Sequence, residues 1–221
     1  MPRIARATAT GYPHHVTQRG NYKQPVFQDE DDFIKYKTWL KEYSQKYGLK
    51  IWAHCLMNNH VHFVCVPLKG DSLSRTFNSL HMRYSQYFNN KKGANGHLWQ
   101  GRFFSCMLDE MHLYAAIRYV ENNPVKARIV ETPEEYRWSS TRGHVKSDID
   151  PLLDGGCYIE KEIKDWLVFL KQKDDEQLIE DIRKNSLTGR PCGDDSFIQT
   201  MERLLGRRLK GMTRGRPCKA K

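Results

Sequence analysis

His60 and His62 stand two apart in the run His60-Val61-His62-Phe63. On an extended strand this spacing sends both imidazoles to one face and Val61 to the other, so the two rings can share a metal ion. Farther along, Tyr119 and Asn123 are four apart. On a helix they stack on one line, with small Ala115 one turn earlier leaving room beside the ring. Tyr114 is the neighbouring candidate nucleophile. At about 100° per residue it falls some 140° from Tyr119, so a regular helix offers only one of them to a common site, and Tyr119 is the choice. Spacing alone also fits two polar-face histidines, a tyrosine at the rim of the core, and an asparagine capping a helix before Pro124.

The elements that must position these residues follow from periodicity. Residues 12 to 18 are rich in aromatic and β-branched types and stop at Arg19-Gly20-Asn21, a strand and a turn. Phe33, Tyr36, Leu40, Tyr43 and Tyr47 recur three and four apart between an acidic start and Gly48, which predicts an amphipathic helix. Residues 50 to 57 and 60 to 66 are apolar runs separated by Asn58-Asn59, whose tolerance of positive φ suits a two-residue hairpin turn. That hairpin pairs Met57 with His60 and Cys55 with His62. A second helix begins near Asp71 or Ser72, with Arg75, Asn78 and Arg83 on its polar face, followed by a Gly-rich loop at 93 to 96. After a strand at 102 to 107, a third helix starts at Asp109 and ends at Pro124. The order βαββαβα predicts an α+β fold with a ferredoxin-like antiparallel sheet, helices on one face and the other face free for a ligand.

The resulting division is a domain at 1–146, a helical extension at 147–206, and a basic tail at 207–221. The 221 residues carry 36 Lys and Arg against 26 Asp and Glu, a net charge of +10 that favours a polyanionic partner, nucleic acid first. No stretch approaches the ~18 apolar residues of a membrane helix, and a cytoplasmic protein is expected. The six cysteines include no C-x-x-C pair, which argues against a zinc finger and for reduced thiols.

Several segments then match a known family in order. They are His15-Val16-Thr17-Gln18-Arg19-Gly20-Asn21, Leu56-Met57-Asn58-Asn59-His60-Val61-His62-Phe63 and Gly96-His97-Leu98-Trp99-Gln100-Gly101-Arg102-Phe103. Arg118-Tyr119-Val120-Glu121-Asn122-Asn123-Pro124-Val125-Lys126-Ala127 and Glu134-Glu135-Tyr136-Arg137-Trp138-Ser139-Ser140 continue the series. Over about residues 12 to 145 the chain resembles the REP-associated tyrosine transposases, relatives of the small insertion-sequence HUH transposases. The resemblance implies that His60 and His62 bind Mg²⁺ or Mn²⁺, that Asn123 completes the metal site, and that Tyr119 is the nucleophile. One departure is Asn58, where the family usually has proline, and a slightly looser hairpin is expected from it.

The implied activity is metal-dependent cutting and rejoining of single-stranded or hairpin DNA through a 5′-phosphotyrosine. Arg75, Arg83, Arg102, Lys126 and Arg128 are candidate phosphate contacts, and Trp99 or Phe103 candidate platforms for unpaired bases. Arg214 and Arg216 lie in Arg214-Gly215-Arg216-Pro217, which looks like an AT-hook core suited to an A·T minor groove. Two other readings stay open: a hairpin-binding module that does not cut, and a hydrolase using His60 and His62 with water, which would tolerate Tyr119→Phe. Monomer and homodimer are both compatible with the sequence.

Overall fold

Four strands and the helices between them take up the expected order. The computed structural model describes residues 6–146, 148–173 and 175–210. Along the chain come β1 (His14–Arg19), α1 (Glu30–Tyr47), β2 (Leu49–Met57), β3 (His60–Pro67), α2 (Ser72–Lys92), β4 (Phe104–Met107), α3 (Glu110–Glu121) and α4 (Asn123–Lys126). Then follow α5 (Thr141–Lys146), α6 (Ile159–Glu162), α7 (Trp166–Lys171), α8 (Glu176–Thr188) and α9 (Asp195–Leu205). The strands pair in the order β2-β3-β1-β4, antiparallel throughout, which is the ferredoxin-like arrangement. Arg214, Arg216 and the Arg-Gly-Arg-Pro segment lie outside the described residues.

Local chemistry sets the ends of the helices. The Asp29 carboxylate accepts from the Asp32 amide to start α1, and Gly48 stops it at φ 67, a left-handed conformation that glycine adopts without a Cβ penalty. Asp109 caps α3 in the same way through the His112 amide. The third helix does not run to Pro124. It closes at Asn122, and Pro124 sits in the first turn of α4, where its missing N–H costs nothing.

The hairpin register is the expected one, with Met57 opposite His60 and Cys55 opposite His62. Its turn differs from the expectation, because neither Asn58 nor Asn59 takes a positive φ. The turn is pinned from outside instead of being loose. The Asn58 carbonyl accepts from the Val26 and Phe27 amides at 2.7 and 3.1 Å, and the Asn59 carbonyl accepts from the Gly20 amide at 2.8 Å. A Cβ on Gly20 would lie 2.4 Å from the Gln24 carbonyl oxygen, so only glycine permits this approach.

Helices cover both faces of the sheet, a correction to the one-sided arrangement read from the sequence. Val16, Leu56, Val61 and Phe63 point into a core shared with α1 and α2. On the other face Ala53, Cys55, Val64 and Cys106 meet α3 and, through Ile179 and Ile182, α8. The face expected to be free is therefore occupied, with a gap left between the two helices. Among the described residues no helix is long and apolar enough to cross a membrane.

Candidate active site

β1 and β3 deliver the polar side of that second face. Thr17 pairs with His62 and Arg19 with His60, so these four side chains leave the sheet together. They form the floor of a cavity of about 500 Å³ whose walls include Tyr119, Asn123 and Lys126. The Tyr119 ring lies 5.4 Å from the His62 ring, centroid to centroid, and the His60 and His62 rings are 5.0 Å apart. Tyr114 turns away, its hydroxyl bonded to Glu162. The end of α3 is held by fully buried Glu121, which accepts from Ser140 Oγ and, at 2.7 Å, from Trp166 Nε1. It also meets His144 Nδ1 at 2.7 Å; burial opposes charge on that ring, but Glu121 raises its pKa to about 9, so the contact is an ion pair at neutral pH.

Both imidazoles of the site are kept neutral. Burial first, and then the Arg19 charge, lower His60 to about 4 against a hydrogen bond to Asn123. Burial, followed by His15, His60, Arg19 and Arg183, holds His62 well below the usual histidine range. Each ring has its Nδ1 engaged, at 2.6 Å by Asn59 Oδ1 for His60 and at 2.9 Å by His15 Nε2 for His62. That leaves Nε2 of each neutral ring with its lone pair, the form in which histidine ligates a divalent ion. Among the described residues no group of three or more His, Cys, Asp or Glu side chains gathers around a point. The donor set that fits an ion is therefore two imidazoles and the Asn123 amide, all uncharged.

The other residues singled out by the sequence separate into two groups. Lys126 reaches the site, its Nζ 5.3 Å from the Tyr119 ring centre. Arg128 and Arg102 are exposed near it, next to the wall residues Ala127 and, two positions away, Gln100. Arg75 and Arg83 project from α2 on the opposite side of the sheet and do not reach the cavity. Trp99 and Phe103 are buried, Trp99 among Tyr36, His81 and Tyr84, so neither ring is offered to a base.

Three residues that the sequence reading did not single out for the site also reach it. His15 is buried, stacks on His62 at 5.2 Å and bonds through Nδ1 to Ser186 Oγ at 2.7 Å. With His62 Nε2 left for a ligand, its Nδ1–H donates to His15, and His15 Nδ1–H in turn donates to Ser186. Arg183 places its guanidinium carbon 5.4 Å from the Tyr119 ring centre. His15 carried a signal, since it shares strand parity with Thr17 and Arg19, but Arg183 and Ser186 depend on where α8 docks. A larger cleft of about 880 Å³ between α4, α7 and α8 shares Lys126 and Arg183 with the cavity. Its four glutamates offset its lysines and arginine, so it carries no net attraction for phosphate.

Comparison with known proteins identifies the family and the fold. The family described as "Transposase IS200 like" matches residues 8–123. A protein of Haemophilus influenzae named for REP-associated tyrosine transposases is 25% identical over 137 residues, covering 57% of this chain and 78% of its own. A solved structure of a REP-associated tyrosine transposase bound to a REP hairpin superposes with a TM-score of 0.53 at 18% identity, covering 70% of this chain and 92% of that one. At that identity the likeness speaks for the fold.

Proposed function

The chain belongs to the IS200-like transposase family, and from that premise we propose that it cuts and rejoins one strand of hairpin-bearing DNA through a covalent bond to Tyr119. The observation that carries this reading is the placement of a half-buried phenol beside two neutral imidazoles whose Nε2 atoms remain available. Hairpin DNA as substrate is favoured by the solved relative, whose partner is a REP hairpin, and by the positive charge of the chain.

In the forward step the Tyr119 oxygen attacks the scissile phosphorus in line and loses its proton to water. A P–O bond forms to the phenol as the bond to the 3′ oxygen breaks. The departing oxygen keeps the electron pair and takes up a proton, giving a 5′-phosphotyrosyl strand and a free 3′-hydroxyl. In the reverse step a 3′-hydroxyl loses its proton to water and attacks the phosphotyrosine, the P–O bond to Tyr119 breaks and the phenol oxygen takes up a proton, and no nucleotide is consumed because the ester retains the bond energy. A divalent ion, Mg²⁺ or Mn²⁺, held by His60, His62 and Asn123 would supply Lewis-acid polarisation of the phosphate. The chain's own part is positional. Asn59 and His15 fix the two rings, and the Glu121 cluster fixes the end of α3 that carries Tyr119.

The test is to incubate the protein with labelled hairpin oligonucleotides bearing single-stranded flanks, with Mn²⁺ or EDTA, and to look for a denaturant-resistant adduct. The expected result is an adduct that requires Mn²⁺, is abolished in Tyr119→Phe and persists in Tyr114→Phe. Cleavage that survives Tyr119→Phe would indicate a hydrolase using water. Binding with no adduct across a broad panel would indicate a module that recognises the hairpin without cutting it.

A further inference from the structure

Helix α8 lies beyond the residues matched by the family, yet one of its faces closes the cavity. Arg183, Ser186 and Leu187, at i, i+3 and i+4, all line it. The helix is held firmly: Asp175 caps its start, Gly189 ends it at φ 75, Ile182 is fully buried, and Ser186 bonds to His15. An arginine one turn from that anchor is thus presented from a rigid element. Its guanidinium lies over the Tyr119 ring, and among the described residues no carboxylate pairs with it. Arg75, Arg83 and Arg137 elsewhere on the surface all have acidic partners.

The chemistry of the site explains what such an arginine would meet. The two imidazoles, the amide and the phenol supply no fixed positive charge, and Arg183 joins Arg19 on the floor and Lys126 in the wall as the cations that line the cavity, whereas a phosphodiester arrives with one negative charge and gains another as the phenol oxygen adds. A planar guanidinium offers two parallel N–H donors to the non-bridging oxygens and stays charged throughout. Preorganised charge at the point where negative charge develops is worth more than charge recruited from solvent.

We propose that Arg183 is a substrate-binding residue that holds the non-bridging oxygens of the phosphodiester attacked by Tyr119, so that α8 completes the catalytic site. This rests on the reading of Tyr119 as the nucleophile, and the experiment separates the two. In a Tyr119→Phe background, which cannot cleave, the affinity for a hairpin oligonucleotide with single-stranded flanks is measured against KCl concentration. Arg183→Ala is expected to weaken binding and to flatten the slope of log K against log salt by about 0.7, the loss of one single-strand phosphate contact. With Tyr119 present, the same substitution is expected to slow adduct formation about 100-fold, and Arg183→Lys to recover affinity more than rate. Lys184→Ala, one position along the helix and outside the cavity, is the charge control and is expected to leave both unchanged. Retained melting temperature and circular dichroism show that α8 is still docked in each variant. An Arg183→Ala protein with unchanged salt slope and unchanged adduct rate overturns the proposal while leaving Tyr119 in place. If the parent protein forms no adduct, the nucleophile reading fails and the salt slope alone still decides whether Arg183 meets a phosphate.

Discussion

On one side of the sheet Val16, Leu56, Val61 and Phe63 meet α1 and α2 through Tyr36, Phe77, Tyr84 and Trp99, a layer of rings in tilted and edge-on contact. On the other side the same strands present His15, Thr17, His60 and His62 to Tyr119 and Arg183, with a cavity between them. Val16, Val61 and Phe63 alternate with His15, Thr17, His60 and His62 along β1 and β3, so a slip of one residue in pairing would exchange them. The aromatic side gains heavily from burial and tolerates no such exchange. In fixing the register it also guarantees that His60 and His62, and not Val61 and Phe63, face the tyrosine. The hydrophobic side thereby sets the geometry of the polar one without contributing a reacting atom.

Substitutions should separate the two sides, and the largest effect on stability belongs to the ring layer. Trp99→Ala is expected to lower the free energy of unfolding by about 3–5 kcal/mol, the cost of removing a large buried ring whose neighbours cannot fully collapse. Denaturant titration measures this, and Mn²⁺ binding per folded molecule should be unchanged. Loss of DNA binding at unaltered stability would instead make Trp99 a base-stacking residue and would undo the division between the faces.

The sequence carried the element order, the pairing of Cys55 with His62, and the separation of Tyr119 from Tyr114 onto different flanks of α3, because each depends on a period of two or of about 3.6 residues within a short segment. The role of Trp99 was illegible for the opposite reason. It sits in an irregular loop, and only the docking of α1 and α2 around it decides whether its ring is inside. The contact of His15 with Ser186 spans 171 residues, and no local pattern fixes where α8 packs. Helices lie on both faces because the apolar line of α3, Leu113, Ala116, Ile117 and Val120, packs against Ala53, Cys55 and Val64 on the face opposite α1 and α2.

A smaller effect is expected at His15, whose two ring nitrogens are bonded to His62 Nδ1 and Ser186 Oγ. His15→Ala leaves His62 Nδ1 without its acceptor, so the ring loses both its orientation and the reason for carrying its proton there. Mn²⁺ affinity of the DNA-free protein, followed by titration calorimetry, should fall about 10–100-fold, the usual cost of losing a partner that orients a metal-binding histidine. Ser186→Ala should move it in the same direction by less, and Ser186→Thr should restore it. An unchanged affinity in His15→Ala would mean that His62 is held by packing alone, and the polar side would then resemble the aromatic one more closely than its hydrogen bonds imply.

The smallest effects should come from the arginines on the aromatic side. Arg75 is paired with Asp71 at 3.4 Å and lies over Tyr47, and Arg83 is paired with Glu42 at 2.8 Å and lies over Trp39. Both pairs are exposed, so each alanine substitution should alter stability by less than about 1 kcal/mol, with solvent and salt screening most of the attraction. Their charge is already answered by a neighbouring carboxylate and they face away from the cavity, so the double variant should form the DNA adduct at the parental rate. A tenfold fall in that rate would mean that bound DNA wraps around the α2 side. The charge that matters for substrate would then be distributed over both faces, and the contrast between paired arginines here and the arginine over Tyr119 would lose its functional meaning.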